Sequence, residues 1–173
     1  MPDSQKQERF TEIFRKEGGK VYALAYRLSG NEADARDVVQ EVFTKLYQHL
    51  DRFEGRSQLF TYLYRMTFNV WCNLVRQKKR SRWPSPAEPK VLGRLDPRDS
   101  SEELLKKEER VQYVRQALEK LSPQEKLIIV LRDIEERSYQ EIASVLKCRL
   151  GTVKSRLARA RGRLRQILEP YLD

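Results

Sequence analysis

The sequence is short of the residues on which most enzyme chemistry depends. Histidine occurs once, at His49, and cysteine twice, at Cys72 and Cys148, in 173 residues. The two cysteines stand far apart with no CxxC or histidine spacing, so no zinc site is expected and both read as reduced thiols in a cytoplasm. A lone histidine removes most acid–base and metal catalysis, and nothing matches the Gly-Lys-Ser/Thr spacing of a phosphate loop. No apolar run approaches the ~20 residues needed to cross a bilayer. The start, MPDSQKQERF, lacks the apolar stretch and cleavage site of a secretion signal. These absences point to a cytoplasmic protein that is not an enzyme, with no cofactor, no metal and no membrane insertion.

Positive charge is present in excess, and it is unevenly spread. The formal net charge is +10, yet between Ser138 and Arg165, one sixth of the chain, stand eight Lys/Arg and one Glu. That stretch reads as two helices and a tight turn. Ser138 caps the first, with Glu141 completing a capping box, and Ile142, Ala143, Val145 and Leu146 give it an apolar side. Cys148-Arg149-Leu150-Gly151 is the expected turn, with the second helix starting near Thr152. Val153, Leu157, Ala160, Leu164 and Leu168 recur at three- or four-residue intervals, the mark of one buried face. The other faces carry Thr152, Lys154, Ser155, Arg156, Arg159, Arg161, Arg163 and Arg165. A basic amphipathic helix is often only a solvated surface, which would mix signs. Concentration of one sign instead indicates a polyanion, and a helix-turn-helix is the unit that enters a major groove.

The N-terminal part has the opposite character. Phe10, Ile13 and Phe14 open a short helix that Gly18-Gly19 is expected to interrupt, and Val21, Leu24, Ala25 and Leu28 resume it up to Gly30. Asn31 caps a helix reaching about Leu50, expected to bury Ala35, Val38, Val39, Val42, Phe43, Leu46, Tyr47 and Leu50. Its outer side shows Asp34, Asp37, Gln40, Glu41 and Thr44, and Asn31–Glu54 holds six acids and three bases. Charge alone makes this a solvated face. Such a face repels DNA, so any partner there is expected to be a protein.

After a loop, Asp51–Ser57, comes LFTYLYRMTFNVWCNLVRQKKR. Leu59, Leu63, Met66, Val70 and Leu74 form a core stripe, leaving Tyr62, Tyr64, Arg65, Phe68, Asn69 and Trp71 on other faces, followed by Arg76, Lys78, Lys79 and Arg80. Aromatics by themselves are more often core. Here they exceed what one stripe buries and are interleaved with bases, a combination suited to single-stranded nucleic acid. Extruding a base costs a few kcal/mol and each stacked base returns about 1–3 kcal/mol. Trapping opened bases is therefore feasible without ATP.

Pro84, Pro86, Pro89 and Pro97 then exclude a continuous helix. The expected fold class is all-α: two small helical domains, 1–80 and 101–173, joined by a flexible linker over 81–100. Ser100 and Glu103 begin a further helix expected to bury Leu104, Val111, Val114, Leu118 and Leu121. Ser122-Pro123-Gln124-Glu125 caps KLIIVLRDI, whose β-branched run also suits a strand; the cap decides for helix.

Together these segments resemble an extracytoplasmic-function (ECF) sigma factor of the sigma-70 superfamily, over nearly the whole chain. ADARDVVQEVFTKLY is similar to that family's polymerase-binding helix, FTYLYRMTFN to its promoter-melting helix, and SYQEIASVLKCRLGTVKSRLARAR to its helix-turn-helix. The resemblance implies that Asp37, Gln40, Glu41 and Thr44 face the β′ clamp helices of core RNA polymerase, and that the C-terminal domain meets the β flap. It implies a −10 site from Phe53, Arg56, Ser57 and Asn69, with Tyr62, Tyr64, Arg65 and Phe68 along the melted strand. Lys154, Ser155 and Arg159 would reach −35 bases, with Thr152 beside them, while Arg156, Arg161 and Arg163 would hold phosphates or pack. A monomer, controlled by an anti-sigma factor that in many members sits in the membrane, is the implied form. Tyr62 stands where the family usually has Trp, Thr67-Phe68 replaces a small-basic pair, and Arg149 takes the place of a common proline. Because arginine is a poor N-cap, the second helix is expected to start a residue or two late.

A stand-alone helix-turn-helix repressor, with the N-terminal half used for dimerisation or sensing, is the competing reading. It predicts a dimer on a palindrome without polymerase. A third, a single-strand or RNA-binding protein, predicts indifference to duplex sequence.

Overall fold

The computed structural model describes residues 3–52, 59–80 and 102–171. Among these there are helices and connecting turns and no strands. Seven α-helices follow in order: α1 Asp3–Ser29, α2 Glu32–His49, α3 Leu59–Arg80, α4 Glu102–Glu119, α5 Pro123–Ile129, α6 Tyr139–Leu146 and α7 Leu150–Leu168. Short 3-10 turns cover Leu50–Arg52 and Glu169–Tyr171, and one π turn covers Val130–Ile134.

The first corrections concern α1 and α2. Gly18 and Gly19 do not interrupt α1, which runs unbroken. Two helical glycines cost roughly 1 kcal/mol each relative to alanine; the buried row Ile13, Val21, Leu24, Ala25 and Leu28 outweighs that. The helix stops at Gly30, whose φ of +74° is left-handed, and Asn31 accepts the Asp34 N–H at 2.9 Å to start α2. A Cβ on Gly30 would also lie 3.0 Å from Glu119 Oε1 of α4. Gly30→Ala is therefore expected to cost about 1–2 kcal/mol, the penalty of a left-handed backbone at an L-residue, read by urea unfolding. Tyr47, expected in the core, is instead partly exposed beside Phe10, with ring centroids 5.3 Å apart.

Helix α3 is central. It lies on α1 and α2 with one side and on α6 with the other, so it buries two stripes rather than one. Leu63, Tyr64, Thr67, Val70 and Trp71 are all buried. That corrects the expectation that Tyr64 and Trp71 stand clear of the core. Lys78 at the far end of α3 bonds Asp34 at 2.7 Å, tying it to the start of α2.

In the C-terminal part Ser122 and Glu125 form the expected capping box with Pro123 in the first turn, and KLIIVLRDI is helical. Leu127, Ile128, Val130 and Leu131 are almost fully buried, each contributing about 1.5–3 kcal/mol. Helix α4 buries Ala117 and Leu118, and Leu121 is buried just past its end, but Val111 and Val114, expected inside, are exposed. Ser100, the linker 81–100 and the side chains of Glu103 and Leu104 lie outside what is described.

Candidate polymerase and nucleic-acid interfaces

Sequence dictates the helix-turn-helix locally. The Glu141 N–H bonds Ser138 Oγ at 3.2 Å, and Glu141 Oε2 accepts the Ser138 N–H at 2.8 Å. Those hydrogen bonds hold the Glu141 carboxyl below the usual carboxylate range, with Arg137 nearby adding to it. Lys147 adopts a left-handed backbone, φ 50°, and the Cys148 N–H returns to Ala143 C=O at 3.1 Å, which closes α6. The turn is thus Lys147–Arg149. Helix α7 begins at Leu150, earlier than expected, with Leu150 and Gly151 inside it. Arg149 serves as N-cap through its extended backbone alone (φ −70°, ψ 151°), its carbonyl accepting the Thr152 and Val153 N–H groups at 2.9 and 3.1 Å. An N-cap side chain satisfies one donor; the backbone geometry does not require it.

Val153, Leu157 and Ala160 bury one side of α7. At 3.6 residues per turn the outer side divides into three rows. Ser155, Ala158 and Gly162 are exposed along the middle, and a Cβ on Gly162 would meet nothing within 4 Å. Arg159 and Arg163, both exposed, follow one flank below half-buried Thr152 and Arg156; they border a shallow cleft with Lys120 and Glu125. Ser122 hydrogen bonds hold the Glu125 carboxyl low, and the charges of Arg163 and Arg159 add to that. Exposed Lys154 and Arg161 lie on the opposite flank. Arg161 Nε bonds Asp133 Oδ2 at 3.1 Å, so this arginine is ion-paired within the protein. Arg132 and Lys154 stand over the Tyr139 ring, 4.9 and 6.0 Å from its centroid.

On α2 the four singled-out side chains, Asp37, Gln40, Glu41 and Thr44, are all exposed on one face. Glu41 pairs with Lys45 at 2.7 Å, and Thr44 Oγ1 donates to the Gln40 carbonyl at 2.8 Å. Phe14 and Tyr47 are exposed on the same helix pair, and aromatic contacts link Phe10, Phe14, Phe43 and Tyr47. Sequence reasoning missed this patch because aromatics at helical spacing read as core; more apolar positions than one helical face can cover is the signal that would have found it.

The expected −10 residues that are described all lie on α3 and differ in exposure. Phe53, Arg56 and Ser57 lie outside the described residues. On α3, Tyr62, Arg65 and Asn69 follow one side, with Asn69 exposed and the other two half-buried. Phe68 is half-buried, its ring 6.0 Å from Trp71. Tyr64 is buried, with its hydroxyl donating to Glu135 at 2.7 Å. Burial and that carboxylate push the Tyr64 phenol far above its ordinary range. Arg65 donates to the Ser144 and Val145 carbonyls at 2.5 and 3.3 Å.

Among the described residues no three His, Cys, Asp or Glu side chains are grouped to hold a metal, and no helix is long and apolar enough to cross a membrane. The sequence matches the family descriptions "Sigma-70 region 2" over residues 13–81 and "Sigma-70, region 4" over residues 111–164. It is 35% identical over 162 residues to the ECF RNA polymerase sigma-E factor of Escherichia coli, covering 88% of this chain and 83% of that protein. It is also 35% identical over 161 residues to the ECF RNA polymerase sigma factor SigE of Mycolicibacterium smegmatis, covering 92% of this chain; the chain spans 62% of that relative's length. Among solved structures, the sigma factor RpoE of Bartonella quintana, in complex with the anti-sigma factor NepR, aligns with a TM-score of 0.67 at 27% identity, over 94% of this chain and 98% of that one. CnrH, solved with the cytosolic domain of CnrY, shares the fold with a TM-score of 0.65 at 24% identity, over 95% of this chain and 90% of that one. An acidic helix face, an aromatic-rich central helix and a basic helix-turn-helix, met in this order, are thus accounted for together: the chain belongs to the ECF RNA polymerase sigma factors.

Proposed function

We propose that this chain is a dissociable specificity subunit that joins core RNA polymerase, reads a −35 element as duplex and a −10 element as melted strand, and so nucleates opening. The single observation that carries this reading is the pairing, on one chain of this family, of an exposed acidic face on α2 with a basic outer side of α7. The acidic face repels DNA and suits the clamp helices of β′; the basic one attracts phosphate. Residues 1–80 form the polymerase-binding and melting domain, 81–100 the linker, and 101–173 the −35 domain, which also meets the β flap. The chain is a cytoplasmic monomer with no catalysis of its own. An anti-sigma factor that covers the polymerase-binding surfaces controls it, at the inner membrane face where that factor is membrane-bound; the Bartonella quintana relative solved with NepR supports this.

Run-off transcription from a fragmented genomic library, with purified core enzyme and this chain, tests the reading directly. New, chain-dependent start sites are expected. A symmetric footprint on duplex DNA without polymerase, and no new starts with it, would make the chain a repressor.

Asn69 supplies the finer test. It is exposed on α3, and its amide carries both donors and an acceptor for a base edge. Asn69→Ala is expected to leave closed-complex binding intact and to reduce permanganate-reactive open complex by about tenfold, the loss of one good base contact. An unchanged open complex removes Asn69 from the −10 pocket.

A further inference from the structure

The two flanks of α7 are held in different ways. On one, Arg159 leans on its own helix, its Nε 3.4 Å from the Ser155 carbonyl. On the other, Lys154 and Arg161 stand two turns apart and both meet residues from outside α7. The π turn Val130–Ile134 is one source of these contacts. It takes one residue more than an α-helical turn, with the Glu135 N–H returning to the Val130 carbonyl at 2.9 Å. Val130 and Leu131 stay buried, while Asp133 Oδ2 accepts the Arg161 Nε–H at 3.1 Å. Arg132 donates to the Arg137 carbonyl at 2.8 Å, and its guanidinium stands 4.9 Å from the centroid of the Tyr139 ring. Tyr139 is fixed in turn. It is the first residue of α6, directly after the Ser138 cap with its Glu141 partner, and its half-buried ring packs against the core. Lys154 Nζ stands 6.0 Å from the same ring centroid.

We propose that Tyr139 is a positioning residue for −35 recognition: its ring holds the Lys154 ammonium in place before DNA arrives, and so sets base preference at the position Lys154 reads. The proposal rests on the reading of α7 as the −35 helix. Lysine carries a compact charge on a flexible four-carbon stem, and ordering that stem on a base edge costs rotamer entropy. A ring that attracts the ammonium through its quadrupole removes part of that cost in advance. An aromatic brace also differs from an acidic one. A carboxylate would hold the lysine more firmly, but it would cancel the charge and repel the phosphates alongside. Asp133 does this to Arg161, which becomes a strut between the π turn and α7. The Tyr139 ring attracts without cancelling, so Arg132 and Lys154 share it and both keep their charge for DNA.

Two variants of the full chain separate ring from hydroxyl. Tyr139→Leu keeps apolar bulk and removes the ring; Tyr139→Phe keeps the ring and removes the hydroxyl. Each is measured as holoenzyme selected on a library randomised across the −35 element, beside Lys154→Ala. Lys154→Ala marks the position that this lysine reads. At that position Tyr139→Leu is expected to lower the preference about two- to fivefold, the range of one exposed cation–π pair. In the Lys154→Ala background the same change is expected to add nothing there. The slope of log affinity against log salt is expected to stay at the wild-type value, because no phosphate contact is removed. Tyr139→Phe is expected to match wild type throughout. An unchanged preference matrix for Tyr139→Leu overturns the proposal. So does a Tyr139→Phe variant that binds every sequence more weakly, which would make the hydroxyl a phosphate contact. NMR of the free wild-type chain needs no variant. The ring current is expected to move the Lys154 ε-methylene protons upfield of those of the other lysines. Ordinary shifts at Lys154 overturn the proposal, even where circular dichroism shows that Tyr139→Leu fails to fold. A wild-type holoenzyme that selects no −35 sequence refutes the sigma reading instead, and the NMR shift still decides the brace.

Discussion

Asp37→Lys combined with Glu41→Lys is expected to abolish capture of core RNA polymerase in a pull-down, with circular dichroism and thermal unfolding close to wild type. Both side chains are exposed and lie one helical turn apart on α2, opposite the buried row Ala35, Val38, Val42 and Leu46. Local costs are small. The Glu41–Lys45 pair is an exposed i,i+4 contact worth a few tenths of a kcal/mol, and a lysine pair in its place costs a similar amount. The interface is different in scale, because a like-charge juxtaposition across a binding surface costs several kcal/mol. Two such reversals remove three or more decades of affinity at 1.4 kcal/mol per decade. Undiminished capture would mean that this face does not meet the polymerase, and the exposed Phe14 and Tyr47 patch on the same helix pair becomes the next surface to test.

How much of this was legible in the sequence depends on whether a feature is local. Capping boxes at Ser122 and Ser138 and the Asn31 cap involve residues three apart, and each is found as expected. Spacing also identifies the buried face of α7, because Val153, Leu157 and Ala160 repeat with the helix. What fails is any inference that needs to know how many neighbours a helix has. A single stripe leaves Tyr64 and Trp71 over, so they read as free for nucleic acid; with α1 and α2 on one side and α6 on the other, α3 buries both. The same error runs the other way in α4, where Val111 and Val114 look like core and are exposed. Glycine pairs and a poor N-cap mislead for a related reason. Their local costs are of order 1 kcal/mol, and tertiary packing of α1 and α7 exceeds that, so α1 stays continuous and α7 starts early. Among the candidate site residues, exposed charged ones such as Asp37, Glu41, Lys154 and Arg159 lie on surfaces as expected, since charge seeks water under any topology.

Arg159→Ala is expected to alter base preference at one −35 position by about 1–3 kcal/mol, a five- to 150-fold change in relative use of the correct base. The N-terminal part of a recognition helix approaches base edges and its later turns run beside the backbone. Arg159 stands in the third turn, exposed, one turn before Arg163 on the same flank. Its Nε donates to the Ser155 carbonyl at 3.4 Å, which lays the side chain back toward the N-terminal end and leaves the terminal nitrogens of the fork for a partner. The adjoining middle row of Ser155, Ala158 and Gly162 lets the helix backbone come close enough for that fork to reach. Arg163, farther along, is the internal comparison: Arg163→Ala should weaken every sequence alike and reduce the slope of log affinity against log salt by about one. Both variants are measured as holoenzyme selected on a library randomised across the −35 element. A preference matrix for Arg159→Ala that matches wild type, with uniformly weaker binding, would move this arginine from the bases to the phosphates and leave sequence reading to Lys154 and Ser155.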